Sequence, residues 1–300
     1  TIHFHGIHPA NMDGAFEPVQ PGQQVRAVPG AGLDERNQMV RVKKPLFLLY
    51  LPHLQAAFRQ QLYRLMGDLP PRNRKISAEV LTHEQRPGYI LEKLLLDLSI
   101  NVTAMFRDPG FYAAFREKVV PTLRTYPFIR IWHAGCSTGE EVYSMAILLH
   151  EEGLLDRTLI YATDINPRSL EKAKQGIFSL ENVRAYTQNY QLAGGRRSFA
   201  DYYTAAYDYA MFDKTLCQNV TFADHSLATD SVFSETQLIS CRNVLIYFNK
   251  KLQDRAFGLF HESLCHRGFL VLGSKETLDF SAFGKQFEPL VKQERIYRKL

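Results

Sequence analysis

The sequence lacks long apolar segments and is poor in cysteine. No run of about eighteen apolar residues occurs, which argues against a membrane-spanning helix. The 4 cysteines are widely separated and form no CxxC pair, a spacing that favours reduced thiols over a disulfide framework or a zinc site. The first residues, TIHFHG, have neither the basic region nor the apolar stretch of a secretory signal. We therefore expect a cytoplasmic protein without membrane insertion.

A strong charge bias and several well-known ligand motifs are also missing. The formal net charge of +5 permits an acidic partner but does not amount to the clustered basic and aromatic residues of a nucleic-acid surface. The chain contains neither a GxGxxG nor a GxxxxGK[ST] pattern, which lowers the case for NAD or ATP. No Ser/His/Asp or Cys/His arrangement indicates nucleophilic catalysis. We expect no nucleic-acid partner.

Three regions follow one another along the chain. Prolines and glycines interrupt any helical period in residues 1–44, which predicts an irregular N-terminal segment. Residues 45–108 are mostly helical in pattern, which predicts a small helical domain and a linker. Residues 109–300 alternate between strand and helix patterns. This third region is the one expected to carry the chemistry.

The alternation of strands and helices predicts the fold class. The main helix candidates are residues 140–152, 167–176 and 251–265, and the strand candidates are residues 128–132, 158–162, 220–222, 238–240 and 269–272. Such alternation indicates an α/β fold with a mostly parallel, Rossmann-like sheet covered by helices on both faces. Sheets of this kind bind their ligands outside the carboxyl ends of the strands.

Small and acidic residues follow the first two strands. The first strand leads into residues 133–141, HAGCSTGEE, where small side chains let backbone N–H groups approach a ligand closely. The amino end of the helix that begins there favours a carboxylate. Asp164 follows the second strand, where a carboxylate can accept hydrogen bonds from both hydroxyls of a ribose. An ordinary tight turn and helix N-cap would give the same pattern, so both interpretations stay open at this point.

Five segments together resemble the CheR family of chemotaxis receptor methyltransferases. In chain order they are SINVTAMFRDP at 99–109, AGCSTGEEVYS at 134–144, ATDIN at 162–166, CRNVLIYF at 241–248 and LGSKE at 272–276. The resemblance extends over about residues 88–300. It implies a methyltransferase that depends on S-adenosylmethionine, with a catalytic domain at 109–300. It also implies that glutamates on the cytoplasmic helices of methyl-accepting chemotaxis receptors are converted to methyl esters.

The resemblance implies contacts to the methionine end of the cofactor. Asn101, Thr103 and Arg107 would close over the cofactor from the linker. Arg107 would offer its guanidinium to the methionine carboxylate, a bidentate task that suits arginine. Either Glu140 or Glu141 would pair with the methionine ammonium.

Further roles are implied for the nucleoside end and the transfer centre. Asp164 would hold the ribose. Ser226, which stands where the family usually has asparagine, and Leu227 would flank the adenine. Arg242 and Asn243 would bind the cofactor and face the methyl-transfer centre.

Tyr247 would lie near this centre and complete the implied catalytic group with Arg242 and Asn243. The sulfonium of the cofactor makes its methyl group electrophilic, and S-adenosylhomocysteine is the product. A glutamate with a pKa near 4.3 is already ionised at neutral pH, so the reaction needs alignment rather than a general base.

Alternatives to receptor methylation remain. The same fold can serve another acceptor, because cofactor motifs do not encode the substrate, or the chain can be a non-catalytic regulatory module that binds S-adenosylmethionine. Residues 3–14 resemble a copper-ligand segment of multicopper oxidases, with imidazoles at His3 and His5. The further His-x-His and His-Cys-His motifs of that family are absent, so we expect no metal site. Nothing in the sequence indicates an oligomeric state.

Overall fold

A computed structural model describes residues 103–300. The predicted segment 1–44 with its histidines, the predicted helical domain up to residue 102, and Asn101 lie outside the described residues. The helices are α1 Pro109–Lys118, α2 Val120–Leu123, α3 Glu140–Glu151, α4 Pro167–Gln175, α5 Leu180–Leu192 and α6 Lys250–Ser263. The strands are β1 Ile129–Ala134, β2 Thr158–Asp164, β3 Ile177–Ser179, β4 Tyr203–Ala206, β5 Tyr209–Phe212, β6 Val220–Asp224, β7 Thr236–Cys241, β8 Leu264–Leu272, β9 Phe287–Val291 and β10 Ile296–Lys299.

Seven strands form the main sheet in the order β6-β2-β1-β7-β8-β10-β9. The first five in this order are parallel, whereas β10 is antiparallel to both of its neighbours. The chain builds outward from β1 through β2 to β6, then returns to the other side of β1 and builds outward from β7. The strand order therefore reverses between β1 and β7, and a crevice at such a position is the usual ligand site. This topology confirms the predicted Rossmann-like α/β class.

Hydrophobic side chains cover both faces of the sheet. Successive residues of a strand point to opposite faces, so Ile131 and Trp132 in β1, like Phe269 and Leu270 in β8, enter different cores. One core holds Ile131 and Phe269 and is covered by α1, α3 and α5. The other holds Trp132 and Leu270 and is covered by α6. All four side chains are fully buried, and each contributes roughly 1.5–3 kcal/mol by leaving water.

A second, three-stranded sheet lies between α4 and β6 in the sequence. Its strands are antiparallel in the order β3-β5-β4. The sequence pattern did not predict it. Its strands are three or four residues long, and Ile177, Tyr209 and Met211 are exposed, so the alternation of apolar and polar residues is weak.

A network of buried charges surrounds the C-terminal end of α3. Glu151 accepts hydrogen bonds from the Tyr190 hydroxyl and from the guanidinium of Arg116. Glu152 pairs with Arg116 at 2.8 Å and with Arg124 at 2.7 Å. Burial acts to raise the pKa of Glu151, but the hydrogen bonds from Tyr190 and Arg116 leave it lowered. The network joins α1, α3 and α5, because Arg116 lies in α1 and Tyr190 in α5.

Most predicted boundaries agree with the structure to within two residues, and the predicted strands were usually too short. Strand β1 extends two residues beyond the predicted end, to Ala134, and β8 begins at Leu264 rather than at 269. Asp164 is the last residue of β2, whereas the sequence predicted it to lie just past a strand that ends at residue 162. Within residues 103–300, no helix has the length and apolar character needed to cross a membrane.

Candidate functional site

The loop between β1 and α3 lies where the strand order reverses, at the position where a ligand crevice is expected in such sheets. The amides of Gly135 and Cys136 donate to the carbonyl of Thr163, at 2.8 and 2.9 Å, which holds the loop against the end of β2. Gly135 and Gly139 adopt φ values of +83° and +96°, a region that glycine enters without steric cost. A Cβ on Gly135 would lie 2.4 Å from Cγ2 of Val244, so the loop touches the segment after β7 too closely for any side chain.

Asp164 links the end of β2 to this loop. Its Oδ2 accepts a hydrogen bond from the amide of Ser137 at 2.8 Å, and its Oδ1 accepts one from the amide of Asn166 at 2.9 Å. Burial raises the pKa of Asp164, and the backbone hydrogen bonds oppose the rise. A carboxylate offers about four lone-pair sites. The two oxygens therefore retain acceptor capacity for hydroxyl groups of a ligand.

The two adjacent glutamates at the start of α3 have different surroundings. Glu140 is buried, and Thr138 Oγ1 donates to its carboxylate at 2.6 Å. Burial raises the pKa of Glu140. Glu141 accepts hydrogen bonds from Ser240 Oγ at 2.5 Å and from Nδ1 of His133 at 3.1 Å.

Arg242 is the cation opposite Glu141. It follows β7 directly, and its guanidinium donates to Glu141 at 3.1 Å, to Asp108 at 2.8 Å and to the carbonyl oxygen of Arg107 at 3.0 Å. Its charged group also lies 4.4 Å from the ring centre of Phe111, a cation–π contact. Burial would raise the pKa of Glu141, but Arg242 and the neighbouring donors lower it to about 2. These contacts favour an anchoring role for Arg242 over direct contact with an acceptor.

Asn243 begins a tight segment that follows β7. Its φ is +61°, a left-handed conformation that asparagine tolerates better than most residues, and a 3₁₀ helix at Leu245–Tyr247 follows. Tyr247 is half-buried at the end of that helix. The buried carboxylate of Glu276, in the turn after β8, accepts hydrogen bonds from the amides of Asn243, Leu245 and Ile246 at 2.7–3.2 Å. Burial raises the pKa of Glu276, and its backbone donors oppose the rise.

Ser226 and Leu227 lie in the turn after β6. The amide of Ser226 donates to Asp230 at 2.8 Å, and this bond, together with other contacts, lowers the pKa of Asp230. Leu227 is buried in the same hydrophobic core as Trp132. The turn therefore lies near the carboxyl end of β1, on the β6 side of the sheet.

The described part of the linker is fixed to the same edge of the sheet. Thr103 and Arg107 are half-buried and lie in irregular backbone. The amide of Phe106 donates to Ser144 Oγ in α3 at 2.9 Å, and its fully buried ring contacts the ring of Tyr190 at 5.2 Å between centres. Together with the Arg242 contact to residues 107 and 108, these bonds hold the linker beside the crevice.

Of the residues that sequence reasoning selected, Glu141 and Arg242 are in direct contact, and Asp164, Asn243 and Ser226 lie at or just beyond the carboxyl ends of β2, β7 and β6. Asn101 lies outside the described range, and the roles of all of these residues stay predictions. Three contributors were not selected: Asp108, His133 and Glu276. Glu276 lies in a segment that carried the resemblance, but no pattern indicated that its carboxylate turns back onto Asn243. Residues 103–300 contain no group of three or more His, Cys, Asp or Glu side chains suited to a metal ion.

The donors and acceptors of the crevice fit a nucleoside that carries a charged amino-acid tail. Asp164 keeps acceptor capacity for ribose hydroxyls, Glu140 and Glu141 offer negative charge at the start of α3, and Arg107 brings positive charge from the linker. The amides of Gly135, Cys136 and Ser137 in the glycine loop are already bonded within the protein, to the carbonyl of Thr163 and to Asp164, so the loop shapes the site.

The sequence is similar to one protein family and to several named proteins. Residues 101–295 match the family model described as CheR methyltransferase, SAM binding domain. Cher3 of Pseudomonas putida, named as a putative methyltransferase, is 59% identical to this chain over 272 residues. The aligned residues cover 88% of this chain and 98% of Cher3. A chemotaxis protein methyltransferase of Listeria innocua is 29% identical over 67% of this chain and 74% of its own length. Chemotaxis protein methyltransferase 2 of Pseudomonas aeruginosa is 32% identical over 67% of this chain and 71% of its own length.

Proposed function

The chain belongs to the CheR methyltransferase family, and we propose that it transfers methyl groups to glutamate side chains on the cytoplasmic helices of a chemotaxis receptor, forming methyl esters in the cytoplasm. The observation that carries the proposal is the family match across residues 101–295, which includes the glycine loop, Asp164 and Asn243. S-adenosylmethionine is the cofactor of this family domain. The names of the Listeria and Pseudomonas aeruginosa relatives support a role in chemotaxis.

The proposed cofactor contacts use the crevice from end to end. Asp164 holds the ribose with the acceptor capacity that its backbone hydrogen bonds leave. Glu140 or Glu141 meets the methionine ammonium at the start of α3, and Arg107 meets the methionine carboxylate. The remaining proposed contacts come from the linker, from the turn after β6 and from the end of β7: Asn101, Thr103, Ser226, Leu227, Arg242 and Asn243.

Bound S-adenosylmethionine supplies an electrophilic methyl group on a positively charged sulfur. The chain needs no general base for the acceptor, because a glutamate side chain is ionised at neutral pH. A cation beside the acceptor would weaken it as a nucleophile, and the charge of Arg242 is already paired with Glu141 and Asp108. The amide of Asn243 and the hydroxyl of Tyr247 then orient the acceptor through neutral hydrogen bonds. Alignment of this kind can lower the barrier by up to roughly 7–11 kcal/mol.

Transfer of radiolabelled methyl groups tests the proposal. The full chain is incubated with labelled S-adenosylmethionine and membranes that contain chemotaxis receptors. Label on the receptor that is released by base, as expected of a methyl ester, supports the proposal. Label on another acceptor indicates a methyltransferase of different specificity, and cofactor binding without transfer indicates a regulatory module. Either result would refute receptor methylation.

Substitution of Asn243 tests the orientation of the acceptor. Asn243→Ala removes the amide but also introduces a residue that disfavours φ +61°, whereas Asn243→Gly removes the amide without that cost. We expect both variants to lose about tenfold or more in kcat, the effect of one lost hydrogen bond in the transition state, with a smaller loss in cofactor affinity. Asn182→Ala, at an exposed amide in α5, is the matched control. Equal losses in kcat and cofactor affinity would contradict the assignment.

A further inference from the structure

The carboxylate of Glu276 makes an unusually large number of contacts with backbone amides. Its Oε1 accepts from Leu245 at 2.7 Å and from Ile246 at 3.2 Å, and its Oε2 accepts from Asn243 at 3.0 Å and from Gly273 at 2.6 Å. The side chain is 4% exposed. Four bonds occupy about as many acceptor sites as a carboxylate has. Glu276 therefore has little capacity left for a ligand, and its contacts are all with the chain itself.

The segment that Glu276 holds has unusual backbone requirements. Asn243 is in the left-handed region, and the 3₁₀ helix that begins at Leu245 leaves amides at its start without partners inside the helix. Buried amides of this kind need acceptors from elsewhere. Glu276 reaches across from the turn after β8 and supplies them, so one side chain fixes both the Asn243 backbone and the start of the helix that ends at Tyr247.

Gly273 brings the same turn against the side chain of Asn243. A Cβ at position 273 would lie 2.7 Å from the backbone nitrogen of Asn243 and 3.0 Å from its Nδ2. The turn after β8 thus touches Asn243 at its backbone and at its amide group. Movement of this turn would move the group that orients the acceptor in the proposed function.

We propose that Glu276 is a positioning residue for methyl transfer, which fixes Asn243 and Tyr247 through its hydrogen bonds to the backbone of residues 243–246. The proposal rests on the proposed function for its effect on catalysis, but not for its effect on the loop. Glu276→Gln tests it, because a glutamine offers one acceptor oxygen and turns an NH₂ donor towards two of the four amides. Lys275→Gln, an exposed neighbour in the same turn, is the matched control.

Two measurements on the full chain separate positioning from general stability. The first is amide hydrogen exchange with S-adenosylhomocysteine bound. In Glu276→Gln, exchange at residues 243–246 is expected to accelerate at least about tenfold, the effect of losing one hydrogen bond to a charged group. The amides of β1 are expected to stay protected. For the same reason kcat for methyl transfer is expected to fall about 10–100-fold, with affinity for S-adenosylhomocysteine within about threefold of the parent. The Lys275→Gln control is expected to match the parent in both measurements.

Gly273→Ala provides a second route to the same loop if Glu276→Gln does not fold. It keeps the glutamate side chain, but its Cβ would lie 2.8 Å from Oε2 of Glu276 and 2.7 Å from the backbone nitrogen of Asn243, so it crowds the same contact. The same split between kcat and affinity is expected. Unchanged exchange at 243–246, unchanged kcat, or a parallel loss of kcat and affinity would overturn the positioning role. If the parent chain transfers no methyl group to receptor, the proposed function fails, and the exchange measurement alone then decides whether Glu276 fixes the loop.

Discussion

Replacement of Glu141 by glutamine should lower the unfolding free energy of the domain by an amount that follows from the lowered pKa of Glu141. The carboxylate is held by Arg242, His133 and Ser240, and its pKa falls from an ordinary 4.5 to about 2. That fall corresponds to about 3 kcal/mol of folding free energy above pH 5. Because the folded pKa is depressed, this contribution is present above the unfolded pKa and is lost as the pH falls towards the folded one. About half of it should remain at pH 3.

Urea denaturation of the full chain, followed by the fluorescence of Trp132, measures this contribution. Trp132 is the single tryptophan of the chain and is fully buried in β1, so it reports on the domain that contains Glu141. The difference in unfolding free energy between parent and Glu141→Gln should be about 3 kcal/mol at pH 7 and roughly half of that at pH 3. Glu171→Gln, which breaks an exposed pair with Lys174, should change stability by less than about 0.5 kcal/mol at both values. A difference that does not depend on pH would refute the reasoning.

Three further outcomes follow from the same contacts. Asp164→Asn should weaken the binding of S-adenosylhomocysteine about 10–100-fold in calorimetry, the effect of one lost charge-assisted hydrogen bond, and an unchanged affinity would show that the ribose lies elsewhere. Gly135→Ala should lower the melting temperature and the cofactor affinity together. Adding Val244→Ala should restore part of both, because it removes the Cγ2 methyl group that would lie 2.4 Å from the new Cβ. A double variant with no restoration would contradict the close packing. Burial raises the pKa of all four cysteine thiols, so in native protein at pH 8 they should react with iodoacetamide far more slowly than in urea, and equal rates would be inconsistent with that burial.

The sequence was sufficient to predict the sheet and the edge at which the glycine loop and Asp164 lie. Local patterns carry that information, since a strand followed by a small-residue turn and a helix is readable in one short window, as at residues 129–140. The three-stranded sheet was not predicted, because its strands are short and leave Ile177 and Met211 exposed. Weak alternation over three or four residues does not distinguish a strand from a loop.

The partners of the site residues could not be predicted from local patterns. The expectation that Arg242 and Asn243 face the transfer centre stays a prediction. No pattern in the sequence indicated that Arg242 contacts Glu141, about a hundred residues earlier, and Asp108 in the linker. The bonds from Asn243 to Glu276 likewise join separate elements. Such contacts depend on the three-dimensional arrangement of strands, which a single sequence does not display.

Helix α3 is bonded to the rest of the domain at both ends. Its first turn is attached through Glu141, and its last turn through Glu151 and Glu152. The two attachments are separated by roughly 16 Å along the helix axis. The helix cannot slide lengthwise without breaking one of them. Substitution of Arg116 would loosen the last turn of α3, while Arg124 and Arg196 would still pair with Glu152 there and Arg242 would still hold the first turn.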